Sequence, residues 1–158
     1  MTAALQLPGF RFVKTTLDNG LDVIVRHQGN LPLVAVNLWY HVGSKNEERH
    51  QRGFAHLFEH LMFEGSAHYP GDFFKPLQRL GATVNGSTST DRTNYFVDVP
   101  TAHVELALAM ESDRMGYLLP ALDDAKLRIQ KDVVKNEFRQ TYANRPYGLV
   151  WRHSAEAL

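Results

Sequence analysis

The chain has no cysteine in its 158 residues, which excludes disulfides, thiolate metal ligands and thiol nucleophiles. Its 17 basic side chains are matched by 17 acidic ones, so no surplus of Lys or Arg is available for phosphates and no nucleic-acid partner is expected. No apolar run approaches the ~18–20 residues that a membrane-spanning helix needs. The opening segment from Met1 to Pro8 lacks the basic and apolar regions of a signal peptide. That points to a cytoplasmic protein, or to a periplasmic or secreted one if a leader is missing from this chain. Chemistry is therefore left to histidine, carboxylates, hydroxyls or an acquired cofactor. A hydrophobic share of 44% is enough for a globular core and argues against disorder or a repeat array.

The hydropathy pattern predicts strands first. Phe10–Thr16 and Leu21–Val25 flank Asp18-Asn19-Gly20, and Asn-Gly between two such runs signals a hairpin, since both residues tolerate positive φ. Pro32–Val42 is mostly apolar and suits an interior strand covered on both faces, and Gly43–Gln51 reads as a loop. From Arg52 the period changes to three and four residues (Phe54, Leu57, Phe58, Leu61, Met62), which indicates a helix. A short helix is expected from an Asp72 cap to about Leu80, with Gly81 ending it. Extended pieces follow at Ala82–Ser87 and Thr93–Val99, then helices from about Thr101 to Leu118 and from about Asp123 to Tyr142. The sum is an α+β domain: a mixed, largely antiparallel sheet with helices packed on one face. Asn144–Gly148 looks like a helix stop, yet Leu149–Leu158 opens another amphipathic stretch without a cap. We therefore expect residues 1–158 to form a single partial domain, truncated at the carboxyl end, with a frayed terminus as the plainer alternative.

Of eight histidines, His56 and His60 stand out in His56-Leu57-Phe58-Glu59-His60. At ~100° per residue, Glu59 and His60 lie about 60° and 40° to either side of His56, so three polar groups share one helix face. Two imidazoles one turn apart can hold adjacent corners of a zinc tetrahedron, and the carboxylate can take a proton from water that the metal acidifies. The plainer alternative is a pair of helix-face histidines bridged to a glutamate. A third ligand is needed, and the last helix offers Glu137, inside the apolar stripe of Leu127, Val133, Val134 and Phe138. A carboxylate facing a core needs a partner or a metal, unless it sits at the stripe's edge and reaches solvent. Gln130, two turns earlier on that face, can hydrogen-bond behind such a ligand. The uncharged segment Val84–Thr90 suits either a plain edge strand or one that pairs with an extended peptide through its backbone.

Five stretches together resemble the pitrilysin/insulinase family of zinc peptidases (inverzincins), most of all its bacterial processing-peptidase-like members. They are Leu17–Leu21, Gly43–Glu47, Gly53–Phe63, Asn85–Ser89 and Asp132–Glu137. The resemblance implies the amino-terminal, zinc-binding half of a peptidase, with one zinc ion held by His56, His60 and Glu137 and with Glu59 as general base. The 77-residue separation of His60 and Glu137 fits the family pattern. It further implies that Asn85, Gly86, Ser87 and Thr88 form the substrate-pairing strand and that Phe63 lies near a substrate side chain. Several members carry a glutamate where this chain has Gln130, which removes a charge behind the ligands. The implied activity is a metalloendopeptidase acting on peptides or unfolded segments. The implied partner is a second homologous half, fused or separate, and the alternatives are a non-catalytic recognition or structural subunit or an inert fragment.

Overall fold

The computed structural model describes residues 11–150 together with His153 and Ser154. These residues fall into two units divided between Pro32 and Leu33. In the first, β1 (Val13–Thr16) and β2 (Asp22–Val25) form an antiparallel hairpin, with Val13 opposite Val25 and Thr16 opposite Asp22. The turn differs from expectation in its backbone. Gly20 takes φ +87 but Asn19 does not have a positive φ, and Gly20 N–H donates to Leu17 C=O while Leu17 N–H donates to Leu21 C=O. This is a three-residue loop with the left-handed residue last, a form that asks only one residue to bear the strain. Phe10, expected at the start of β1, lies outside the described residues.

The second unit is built on a three-stranded antiparallel sheet in the order β3 (Leu33–Tyr40), β5 (Thr93–Pro100), β4 (Thr83–Thr88). Helices α1 (Phe54–Leu61), α2 (Phe74–Gln78) and α3 (Val104–Tyr117) contact it. The register explains why one face is apolar. Val34, Val36 and Leu38 of β3 stand opposite Val99, Val97 and Tyr95 of β5, and Val84 of β4 stands opposite Val97. Period-two alternation sends these side chains to the same side, where Phe73, Leu77, Ala82, Ala107 and Met110 close the core over them. Truncating any of these larger buried side chains to Ala costs about 2–5 kcal/mol.

One strand expectation changes. β3 is not covered on both faces: Leu33 and Trp39 are 55% and 60% exposed, and burial alternates along the strand. An apolar run can satisfy a half-covered edge strand when the outward residues tolerate water. β5 is the interior strand, buried from Thr93 to Tyr95 and at Val97 and Val99. On its far face, Ser87 Oγ donates to Asn94 Oδ1 and Asn94 Nδ2 to Asn37 Oδ1, while Arg92 lies 5.0 Å from the Trp39 ring centre.

Among the helices, α2 is shorter than expected because Pro76 removes a donor and Leu80 and Gly81 close in tighter turns. Asp72 does accept at that helix start, from Phe74 N–H at 2.8 Å. Helix α4 (Asp124–Phe138) starts at an Asp123 cap whose side chain accepts from Lys126 N–H, and widens into a π-type turn over Arg139–Ala143. In the amphipathic stretch from Leu149, Trp151, Arg152 and residues 155–158 lie outside the described residues.

Two buried polar groups anchor α3. Arg114 donates to Glu111 at 2.8 and 2.6 Å and lies over the Phe73 and Tyr95 rings at 4.1 and 4.3 Å, so its charge is matched by a carboxylate and two ring faces. Burial pushes the Glu111 carboxyl and the Tyr95 hydroxyl up, against the opposing pull of Arg114. Asp113 accepts from Ser66 Oγ and from the ring and amide of His68, pinning the Gly65–Pro70 loop to α3. Burial opposes its charge, but these hydrogen bonds outweigh burial and hold the carboxyl below its usual value. Its stabilising contribution is therefore complete above the unfolded carboxylate pKa of about 3.9 and is lost as pH falls through the lower folded value. Thermal melts of Asp113→Asn against wild type should show a deficit at pH 7 that closes below about pH 4. A pH-independent deficit would assign the effect to packing.

Candidate active site

The first turn of α1 is held by a distant residue. Gly53, which precedes the helix, has φ +94 and offers no side-chain cap. Glu47 supplies the acceptors: its Oε2 takes Gly53 N–H and its Oε1 takes Ala55 N–H, both at 2.8 Å. Two orphan donors of the helix start are thus satisfied by one carboxylate, which also opposes the positive end of the helix dipole. The loop that carries Glu47 is fixed in turn to the end of β4. Ser44 N–H donates to Ser89 C=O and Lys45 N–H to Thr90 C=O, and a Cβ on Gly43 would meet Ser89 O at 2.4 Å.

Helix α4 packs against α1, and this contact brings residues from two ends of the unit together. His60 Nε2 lies 3.3 Å from His56 Nε2 and 3.3 Å from Glu137 Oε2, and His56 Nε2 lies 3.7 Å from that oxygen. A tetrahedral ion with bonds of about 2.0 Å requires donors about 3.3 Å apart. The triangle matches that spacing with donors of the borderline type that zinc prefers. Among the described residues, these three are the one group of His, Asp and Glu side chains so arranged.

The surroundings of Glu137 differ from the expectation of a core-facing stripe. Its side chain is 47% exposed, and Leu127, Val133 and Phe138 are each about two-fifths exposed. The stripe lies along α1 and an open cleft rather than against a core, so the carboxylate is positioned by helix crossing, not by burial. Likewise Phe54 and Phe58, expected in the apolar face of α1, are half-exposed and line a 300 Å³ apolar pocket with Tyr40, Val42 and Tyr95.

Glu59 lies beside the triad and accepts from Thr88 Oγ1 at 2.6 Å. Gly86 packs against Phe63 and Tyr95, where a Cβ would meet both rings at 3.1 Å. Phe63 stacks on Phe74, with ring centres 4.5 Å apart. Asn85 is exposed and turns its Oδ1 to Gly86 N–H at 2.8 Å, and Ser87 faces the other side of the sheet, towards Asn94. Two adjoining clefts hold these groups. The larger, of 960 Å³, runs past His56, Glu59 and Glu137 along Gly86–Thr90. The smaller, of 490 Å³, is lined by His60, Phe63, Glu64, Phe74, Asn85 and Gln130 among others. Gln130 donates to Glu64 Oε1 at 2.6 Å, so it meets a neighbouring carboxylate. Glu64, Phe74 and Glu47 are site residues that sequence patterns miss. Glu47 sits six positions before Gly53, beyond any local capping motif, and Glu64 gains meaning only from its cleft.

A helix pair thus brings two imidazoles and a carboxylate, a donor set that could hold a metal ion, beside an open strand edge. Residues 22–154 match the family described as Insulinase (Peptidase family M16), and the chain belongs to that family. It is similar to the zinc protease PqqE of Helicobacter pylori, 34% identical over 86% of this chain and 31% of that protein. It is also similar to human cytochrome b-c1 complex subunit 1, 28% identical over 81% of this chain and 26% of that protein. Among solved structures, a protease from Helicobacter pylori superimposes with a TM-score of 0.83 at 32% identity, over 90% of this chain and 34% of that one. Pitrilysin gives 0.74 at 25% identity, over 84% and 14%. The chain thus spans about a third or less of these relatives. The α+β fold and the family resemblance both hold, and no helix among the described residues is long and apolar enough to cross a membrane.

Removing the remote cap tests how α1 is held. Glu47→Ala should lower stability by about 1–3 kcal/mol in urea unfolding, since two hydrogen bonds to a charged acceptor are lost. Glu47→Gln, which keeps one acceptor, should lose less, and an unchanged midpoint for Glu47→Ala would contradict the cap.

Proposed function

We propose that this chain carries the catalytic half-site of a zinc metalloendopeptidase that hydrolyses peptides or unfolded segments. The observation that carries the reading is the triangle of His56, His60 and Glu137 donors at zinc-like spacing, with Glu59 and the β4 edge beside it. His56, His60 and Glu137 would hold one zinc ion, and Gln130 with Glu64 would support the smaller cleft. When bound, zinc supplies Lewis acidity that polarises a carbonyl and makes water more acidic.

The remaining steps belong to the chain. An extended peptide pairs with the open edge of β4 along Asn85–Thr88, which orients its carbonyl by backbone hydrogen bonds without demanding a sequence. Phe63 and Phe74 offer an aromatic wall to a side chain next to the cleaved bond. Glu59 takes a proton from the attacking water, the water oxygen bonds to the carbonyl carbon, and Glu59 returns the proton to the amine nitrogen as the C–N bond breaks. The half-exposed site needs an opposing wall to exclude water, and a second homologous half, fused or separate, would provide it. That the chain spans under a third of the similar zinc protease supports this partner.

The similarity to a cytochrome b-c1 subunit favours a second reading, a structural or recognition subunit without turnover. Zinc content separates the two, because a structural subunit needs no stoichiometric metal. In the zinc-loaded full chain, Glu59→Gln should reduce cleavage by about 100-fold or more while zinc stays at one per chain. Loss of the metal in that variant would contradict its role as base. Glu137→Gln should weaken zinc retention in chelator competition by more than the ~10–100-fold that losing an outer partner costs. Unchanged retention would move the third ligand elsewhere.

A further inference from the structure

Thr88 is placed to do more than continue a strand. Gly86 N–H is taken by the Asn85 side chain, so the Gly86 amide points to the open edge of β4 and away from β5. By strand alternation, Val84 and Thr88 present their backbone to that edge and their side chains to the helices. Val84 accordingly enters the core, and the Thr88 hydroxyl reaches α1, where it donates to Glu59 Oε2 at 2.6 Å. The neighbouring Thr93 hydroxyl donates elsewhere, to Val42 C=O at 3.0 Å, and lies 3.3 Å from Thr88 Oγ1. The single Thr88 hydrogen is thus committed to the carboxylate. The approach of β4 to α1 is fixed independently by the Ser44 and Lys45 amides and by Glu47.

We propose that Thr88 is a positioning residue: its hydroxyl fixes the orientation of the Glu59 carboxylate and ties it to the strand on which the peptide pairs. The proposal rests on the reading of Glu59 as base. Because pairing uses the Thr88 backbone and proton transfer uses its hydroxyl, the two roles separate in kinetics. Thr88→Val keeps the shape and the backbone but removes the hydroxyl, and Thr88→Ser restores it.

The test measures kcat, KM and zinc content of the zinc-loaded full chain on an extended fluorogenic peptide, with crystal structures of both variants. Thr88→Val should lose about tenfold or more in kcat with KM and zinc unchanged, and should show the Glu59 carboxylate displaced. Thr88→Ser should return kcat to within about threefold of wild type with Glu59 in place. Wild-type kcat in Thr88→Val, or a change confined to KM, overturns the positioning role. Glu59→Gln separates the two layers. If it cleaves at the wild-type rate, the base assignment and this proposal both fall; if it is inactive while Thr88→Val is fully active, the Thr88 role alone falls.

Discussion

Three electron-rich atoms held within 3.3–3.7 Å of one another are the constraint on which the site depends. Two imidazole nitrogens and a carboxylate oxygen at that spacing can share a cation, or be bridged by imidazole N–H groups that donate to the carboxylate. The chain reaches this arrangement by crossing two helices rather than by burying the carboxylate. Such a site is open to solvent, and it relies on the stiffness of its supports. Those supports are concrete: the Glu47 cap on α1, the Asp123 cap on α4, and the Met62, Phe63 and Tyr95 packing beneath the strand.

The strand beside the helices is part of the same machinery. β5 is buried and gives β4 a fixed platform, while the outer edge of β4 has no strand beside it among the described residues. Gly86 allows the rings of Phe63 and Tyr95 to approach the backbone, so the strand lies close to the site. The buried Arg114 completes the layer by facing the Phe73 and Tyr95 rings. Core, strand and helix are therefore joined through a few aromatic contacts, and the chemistry-bearing side chains sit at their rim.

Much of this was legible in the residue pattern, because helix periodicity places His56, Glu59 and His60 together and the extended pieces expected at Ala82–Ser87 and Thr93–Val99 lie within a residue of the observed strands. Long-range relations were not. Nothing local says that Glu47 caps α1 or that Arg114 is buried, since both depend on partners brought near by folding. The apolar run of β3 suggests double coverage because composition does not report which strand lies at an edge. The stripe on α4 pointed to Glu137, but for a different physical reason from the one the structure shows.

The most direct test is a zinc anomalous difference map from crystals of the full chain grown with stoichiometric zinc. The expected result is one peak per chain within bonding distance of His56 Nε2, His60 Nε2 and a Glu137 carboxylate oxygen. A peak bonded to other residues, or none at these three despite bound zinc, would contradict the account.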